Sequence, residues 1–243
     1  MSIMSLRSKR ASVVWVDSNY ICADGSCHSF FEANMMQQLV QVMVALPIKR
    51  TSWIIDDAWA PSLLLREIIE VPSDTSVRES FFRWRYTQDL ALDIPMVVQS
   101  LDLGSNIWLL SGIQQGHLDT WNQLAKTSGC SICRLMPRWA WLYNYLAPTL
   151  EVPGLLLSLA AVGNEMFTGT LVAWKDSLVL LRQWTDSAPI EVWNNERILP
   201  SIAYLQREGC LPQKLYIWGS SHWPDCGISI QIIRIEIPTW EAT

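Results

Sequence analysis

The sequence predicts a mixed α/β protein built from two β-β-β-α-β units, the first of which is interrupted by an α+β block. Three observations support this fold class. Half of the 243 residues are hydrophobic and only 17% are charged, so the chain can bury a sizeable core. The order of elements predicted for residues 12–56 recurs after residue 154. The residues between the two units, 62–127, follow a different order that is typical of a compact α+β insertion.

The first unit opens with short strands predicted at 12–16 and 20–24, separated by a turn at Ser18-Asn19, and a third strand near 28–32. Asn34 suits the N-cap of a helix that Pro47 ends, and residues 51–56 form a buried strand. Helical spacing predicts one buried face on this helix. Its members are Met36, Leu39, Val40, Met43 and Val44.

The insertion is predicted to contain a strand, a helix, a hairpin and a second helix. These elements cover residues 63–71, 73–92, 96–103 with 106–113, and 115–126. Val77, Phe81 and Trp84 share one face of the first of these helices, which we expect to be buried. A strand at 130–135 and a helix at 139–146 then return the chain to the first unit.

The second unit repeats the order with strands at 155–161, 167–174 and 178–184, a helix, and a strand at 215–218. Ile198, Ile202 and Leu205 are spaced along one face of the helix. Pro200 is tolerated only in a first turn, so we expect this helix to start late and to end at Gly209. Pro148 and Pro153 bracket a short linker. The predicted domains are therefore 12–147, including the insertion at about 62–127, and 154–236.

Two β-β-β-α-β halves, with an α+β insertion in the first, are the plan of the actin-like, ribonuclease-H-like duplicated fold. Residues 54–146 resemble the matching part of PilM, the pilus-assembly protein, and the cytoplasmic domain of GspL is built similarly. The resemblance lies in the order of the elements: an "LREIIEVP" strand, a helix with a Trp-rich end, a hairpin, an amphipathic helix closed by Gly129, a strand and a short helix. It covers most of residues 12–235.

The resemblance implies a cytoplasmic protein held at the inner membrane through protein partners. It implies a scaffold for a type IV pilus or type II secretion system that binds the cytoplasmic tail of a PilN-like bitopic membrane protein. The assembly or secretion ATPase is a second implied partner. In PilM-like proteins the tail binds near the junction of the first half and its insertion. On this ground we expect residues 57–61 and 137–143 to border the groove, with Trp59, Trp139 or Trp141 as aromatic anchors.

PilM-like proteins also bind ATP, and the resemblance places a nucleotide site at Asp17, Ser18, Asn19 and Gly219. Actin-like proteins cradle phosphates in two hairpins, each with an Asp and a turn glycine. Here Asp17 is present but Ser18-Asn19 replaces the first glycine turn, and Ser158 or Ala160 stands where the second Asp is expected. Gly219 is alone in "IWGSSHWPD". We therefore expect an eroded site, no cofactor and no catalysis. The alternative is an active actin-like ATPase or sugar-kinase-type enzyme.

A nuclease of the same fold is a third alternative, since Asp17, Asp56 and Asp57 could act as metal-binding carboxylates. Asp56 and Asp57 are neighbours, so in a strand only one would face Asp17. The net charge of -5 also argues against nucleic acid as the main partner.

The remaining cysteines and histidines give no clear site. In a strand, Cys130 and Cys133 point to opposite faces and would not share a metal. His28, His117 and His222 lack the spacing of a helical metal site. No signal peptide or transmembrane run is evident, so a cytoplasmic location with six reduced cysteines is expected.

Overall fold

The structure is a computed structural model that describes residues 11–17, 20–24, 26–29, 34–66, 70–146, 149, 152–162, 166–186, 190–219 and 230–235. Ser18, Asn19, Pro148 and His222 lie outside the described residues. The first part of the chain contains these elements: β1 Ser12–Val16, β2 Tyr20–Ala23, β3 Ser26–Ser29, α1 Met35–Ala45, β4 Arg50–Ile55, β5 Ser62–Leu65, α2 Thr75–Asp89, β6 Met96–Gly104, β7 Ile107–Gln114, α3 Gln115–Thr127, β8 Ser131–Pro137 and α4 Arg138–Leu146.

The second part contains β9 Gly154–Val162, β10 Met166–Trp174, β11 Leu178–Asp186, α5 Ile190–Trp193, a π-helical turn Asn194–Ile198, α6 Leu199–Arg207, β12 Lys214–Trp218 and β13 Gln231–Arg234. The predicted order of strands and helices is confirmed, except that β13 was not predicted. The helical segment of the second part starts earlier than expected, because α5 and the π turn precede Pro200. Pro200 itself lies in the first turn of α6, as predicted.

Two five-stranded sheets share one strand order. The first runs β3-β2-β1-β4-β8 and the second β11-β10-β9-β12-β13. In each, the three strands of a meander pair antiparallel, and two further strands add parallel to the first strand of that meander. The insertion forms a third sheet, β5-β7-β6.

The two large sheets face each other across α4. A core cluster joins Trp15 and Ile54 of the first sheet, Leu156 and Val172 of the second, and most of α4. Six consecutive residues of this helix, Arg138 to Tyr143, are buried. The outer face of the first sheet is covered by α1 and α3, and that of the second by the helices after β11. The interior therefore lies between the sheets, and α4 is its central element.

Of two predicted helix faces, that of α1 is right in part and that of α2 is wrong. In α1, Leu39 and Met43 are buried as predicted, but Val42 completes the buried face and Val44 is exposed. In α2 the buried residues are Phe82 and Tyr86, whereas Val77 and Trp84 are more than half exposed, at 54% and 56%. Since α2 has apolar residues on two faces, the spacing alone did not identify the one that packs.

The structure also corrects predictions about the cysteines and about β3. The third strand lies at Ser26–Ser29, ahead of the predicted 28–32. Cys22 and Cys27 are directly opposed in the β2–β3 pair and form a disulfide, so the expectation that all cysteines stay reduced is wrong. Cys130 is buried and Cys133 exposed, which confirms that these two side chains point to different sides of the chain.

Candidate functional site

The centre of the molecule contains a fully buried arginine surrounded by three aspartates. Arg138 is the first residue of α4 and has no solvent exposure. Its Nη1 donates to Asp17 Oδ2 at 2.8 Å and lies 3.7 Å from Asp56 Oδ2, and its Nη2 lies 3.8 Å from Asp57 Oδ2. A buried charge is stable only when it is paired. Three carboxylates and one guanidinium thus form an internal ion cluster.

The first-sheet strands place these acids. Asp17 directly follows β1, and Asp56 and Asp57 directly follow β4. Because β1 and β4 are parallel neighbours, their carboxyl ends meet at one edge of the sheet. The Asp56 amide donates to the carbonyl of Val16 at 3.0 Å, which fixes the two strand ends together.

Asp56 and Asp57 both reach the cluster, so the prediction that only one of them would face Asp17 is wrong. Strand β4 ends at Ile55, and the two residues lie in a turn where side chains no longer alternate. In this turn, the Ala58 amide donates to Asp56 Oδ1 at 2.9 Å. The alternation of side chains along a strand does not extend beyond its last paired residue.

The second sheet supplies the other side of the site. Arg138 Nε donates to the hydroxyl of Ser158, in β9, at 3.1 Å. Ser158 is fully buried and is one of the two strand residues, with Ala160, at which the resemblance places a second Asp. Trp218, at the end of β12, lies under the guanidinium with 5.3 Å between Arg138 Cζ and the ring centroid. One side chain therefore bridges both sheets.

Asp57 links the cluster to the start of α4 and to β10. Its Oδ1 accepts the backbone N–H of Trp139 at 3.0 Å, and its Oδ2 accepts the hydroxyl of Thr170 at 2.8 Å. A carboxylate at a helix N-terminus satisfies an orphan N–H and meets the positive end of the helix dipole. Burial nonetheless raises the pKa of Asp57 above its ordinary value, despite the opposing effect of Arg138.

Burial alone would lower the pKa of Arg138, but the charges of Asp57, Asp56 and Asp17 outweigh it and raise the pKa above its ordinary value. Burial and the nearby charge of Asp17 raise the pKa of Tyr20, which hydrogen-bonds that carboxylate. The guanidinium therefore stays charged and the phenol stays neutral. This is a fixed electrostatic arrangement.

The polar network continues from Asp57 into the insertion. Thr170 accepts a hydrogen bond from Gln183, whose Oε1 accepts the backbone N–H of Ser62 at 2.6 Å. The Ser62 hydroxyl accepts the indole N–H of Trp139 at 3.1 Å and hydrogen-bonds Ser111 of β7. The network thus connects all three sheets.

The carboxylates do not fit a divalent cation as they are arranged here. A cation site needs several carboxylate oxygens free to converge on one point. The Arg138 guanidinium holds that point, and the opposite sheet contributes the neutral hydroxyl of Ser158, which accepts a hydrogen bond from Arg138 Nε. Among the described residues, no group of three or more His, Cys, Asp or Glu residues could hold a metal ion.

Gly219 has a local structural reason to be glycine. Its φ is +92°, and a Cβ there would collide with the backbone carbonyl of Leu159 in β9. Of the residues proposed from the sequence for nucleotide binding, Asp17 lies in the ion cluster and Gly219 packs closely against β9. Ser18 and Asn19 lie outside the described residues.

The tryptophans proposed as partner anchors differ in exposure. Trp139 is fully buried and Trp141 is 7% exposed, so neither side chain is presented to a partner on the surface. Trp59 is partly buried, and its ring lies 5.7 Å from that of Trp121. Residues 138–143 of α4 are buried all round the helix, and exposure begins only at its C-terminal end with Tyr145, which helical spacing alone could not show.

A cleft of about 90 Å³ lies at the junction of the first sheet and the insertion. Its walls come from the carboxyl ends of β4 and β8, from β6 and β7, and from α3. The lining includes Ala60, Val97, Gln99, Leu118 and Pro137. Ala60 belongs to the predicted range 57–61 and Pro137 to the range 137–143.

Sequence reasoning missed Arg138, which organises the site. The available signal was a charged residue inside the apolar run "LMPRWAWL". A buried charge of this kind needs partners, and Asp17, Asp56 and Asp57 were the acids already noted at strand ends.

Two solved structures share the fold over almost the whole chain. The cytoplasmic domain of EpsL, an inner membrane component of the type II secretion system of Vibrio cholerae, matches with a TM-score of 0.57 at 10% identity, covering 95% of this chain and 91% of that one. The PilM–PilN type IV pilus biogenesis complex matches with a TM-score of 0.60 at 11% identity, covering 92% and 88%. The chain has the PilM/GspL-type fold.

The resemblance drawn from the sequence is thus confirmed at the level of the fold, which is mixed α/β of the actin-like type. No protein-family model and no curated protein matches the sequence. In the described part of the chain, no helix is long and apolar enough to cross a membrane.

Proposed function

We propose that this chain is a non-catalytic cytoplasmic scaffold of a type IV pilus or type II secretion platform. It binds the cytoplasmic tail of a PilN-like bitopic inner-membrane protein, which holds it at the membrane, and it contacts the assembly or secretion ATPase. Its two large sheets are the halves of a duplicated actin-like fold. The domains are 12–147, with the insertion at about 62–127, and 154–236.

The observation that carries this proposal is the cleft between the first sheet and the insertion. Its lining is mainly apolar, with Gln99 and Ser111 as polar groups. With about 90 Å³ of space, the cleft is large enough to admit a side chain from a partner. This suits an extended peptide that inserts one apolar side chain and hydrogen-bonds its flanks.

The ion cluster supports the non-catalytic part of the proposal. An actin-like ATPase needs a metal-bound phosphate between its two sheets, and here Arg138 bridges Asp17 and Ser158 with no solvent exposure. If the space between the two large sheets opened to admit Mg-ATP, the buried Arg138 guanidinium would lose its partners. Calorimetric titration with Mg-ATP distinguishes the alternatives: we expect no heat of binding, and tight binding would favour the ATPase.

The test of partner binding uses adjacent residues on one strand. Gln99 lines the cleft, whereas Ser100 is exposed and points to the opposite face of β6. We expect Gln99→Trp to fill the cleft and to weaken binding of a peptide from the partner's cytoplasmic tail at least tenfold, about 1.4 kcal/mol. Ser100→Trp is the matched control and should bind normally.

Fluorescence anisotropy of a labelled peptide from the cytoplasmic tail of a PilN-like protein measures both affinities. Equal affinity of the two variants, with both folded by circular dichroism, would place the tail elsewhere on the surface. No binding to the unmodified chain would remove the scaffold proposal itself.

A further inference from the structure

The Cys22–Cys27 pair lies at the outer edge of the first sheet, away from the ion cluster and from the cleft. The two residues are directly opposed in the β2–β3 pair, with Cα atoms 4.1 Å apart, and their sulfurs are bonded. Strand β3 is the edge strand of this sheet, and all four of its residues are exposed. It is therefore held to the protein only by its pairing with β2 and by this bond, as far as the described residues show.

The two sulfurs differ in environment. Cys22 is 3% exposed and packs with Trp15 in the core between the sheets, whereas Cys27 is exposed. A thiolate attacks a disulfide at a sulfur that it can reach, and the other sulfur leaves. An incoming small thiol can reach Cys27, and the sulfur of Cys22 would be the leaving group.

This disulfide contributes little to the stability of the fold. It joins residues five apart in sequence, and a disulfide restricts the unfolded chain least when the loop it closes is short. The hairpin is already formed by main-chain pairing from Tyr20–Ser29 to Ala23–Ser26. The sheet also has a buried core beneath it that includes Val14, Val16 and Ile21. The fold therefore does not depend on this bond.

We propose that Cys22 and Cys27 form a reversible thiol–disulfide site whose reaction partner is a small-molecule thiol of the glutathione class. A glutathione thiolate attacks Cys27 Sγ, forms a mixed disulfide and releases the Cys22 thiolate. A second glutathione thiolate attacks the glutathione sulfur of the mixed disulfide and releases the Cys27 thiolate and oxidised glutathione. Two electrons pass to the protein, and the two cysteine thiolates take up the two protons that glutathione loses.

Opening the bond changes the edge of the sheet. With the bond closed, β3 is tied across Cys22 and covers the outer edge of β2. With the bond open, four exposed residues are kept in place by main-chain hydrogen bonds alone. Short edge strands of this kind exchange their amides readily. The redox state thus changes how often β3 separates from β2 at the edge of the first sheet.

The experiment uses the whole chain equilibrated in glutathione buffers that range from oxidised to reduced. Free thiols are trapped with N-ethylmaleimide, and peptide mapping by mass spectrometry gives the oxidised fraction of Cys22–Cys27. Hydrogen exchange is measured on the same samples. We expect the disulfide to form in oxidised glutathione and to open in millimolar reduced glutathione, with exchange at Ser26–Ser29 about tenfold faster in the open form.

Two variants support the assignment. Cys27→Ser should exchange rapidly at β3 in both buffers, and Cys133→Ser, which removes an exposed cysteine outside the pair, should behave like the unmodified chain. A disulfide that persists in millimolar reduced glutathione would be structural and would overturn the proposal. Two thiols that stay free in oxidised glutathione would overturn it as well.

Discussion

Replacing Arg138 by Met tests whether the buried guanidinium holds the two sheets together. Met keeps much of the length and apolar character of the arginine stem but leaves Asp17, Asp56 and Asp57 without their cation. The hydrogen bonds to Asp17 at 2.8 Å and to Ser158 at 3.1 Å are also lost. All these groups are 3% exposed or less, so water cannot replace the missing partner.

The magnitude follows from these contacts. A hydrogen bond that involves a charged group contributes about 1.5–3 kcal/mol, and breaking one side of a buried ion pair costs about 3–5 kcal/mol. A domain of ordinary stability has about 5–15 kcal/mol in total. We therefore expect Arg138→Met to lose about 3–5 kcal/mol of unfolding free energy, measured by urea denaturation with tryptophan fluorescence.

A control and a double variant make the result decisive. Arg83→Met, on the exposed surface of α2, should change stability by about 0.5 kcal/mol or less. If Arg138→Met is too unstable to purify, Arg138→Met with Asp17→Asn should regain at least about 0.5 kcal/mol, because one uncompensated charge is removed. A loss below about 1 kcal/mol in Arg138→Met would refute the view that this cluster is a structural clamp.

Two further predictions concern Asp57 and Gly219. Burial raises the pKa of Asp57, so the folded protein binds this proton more tightly than the unfolded chain does. Protonation of Asp57 therefore favours the folded state. This stabilisation is fully present below the unfolded pKa of about 4, and it is lost as pH rises through the higher pKa of the folded state. In Asp57→Asn, the free energy of unfolding should no longer fall in this way as pH rises, and urea denaturation across a pH series from 4 to 8 measures this. The same pH dependence in the variant and in the unmodified chain would contradict the prediction. Gly219→Ala should cost at least about 2 kcal/mol because of its positive φ and the Leu159 carbonyl, whereas Gly116→Ala, which has open space around it in α3, should be neutral or slightly stabilising in thermal denaturation. Equal melting temperatures for the two alanine variants would show that the backbone at Gly219 can adjust.

The order of the elements was predictable because hydrophobic period and turn residues are local properties. The strands β9 to β11 and the hairpin β6–β7 lie close to where these signals place them. Strand β13 was missed although a local signal was present, since "ISIQIIRIEI" alternates isoleucine with polar residues over much of its length. Its pairing with β12, as in the pair Lys214–Gln231, could not be read from that pattern.

The buried face of α2 shows why periodicity alone can fail. Val77, Phe81 and Trp84 form one apolar stripe, and Phe82 and Tyr86 form another. The second stripe packs because Tyr86 donates to the carbonyl of Pro61 at 2.6 Å, and because Gly112 has no Cβ, which would lie 2.7 Å from the Tyr86 ring. The deciding residues are 25 and 26 positions away in sequence, beyond any helical window.

The candidate site was predictable as a set of acids but not as a structure. Asp17 and Asp56 could be placed at strand ends from the sequence, since parallel neighbours end at one edge. Whether such acids hold a metal, a nucleotide or a side chain depends on what the rest of the chain brings between them. Here Pro137 ends β8 beside the cleft, and the next residue, Arg138, enters the ion cluster. The cleft and the cluster are thus built from consecutive residues of one strand-to-helix junction. A ligand that contacts Pro137 in the cleft also contacts the neighbour of Arg138, the residue that joins the two sheets. Partner binding in the cleft and the stability of the Arg138 cluster should therefore be measured on the same variants.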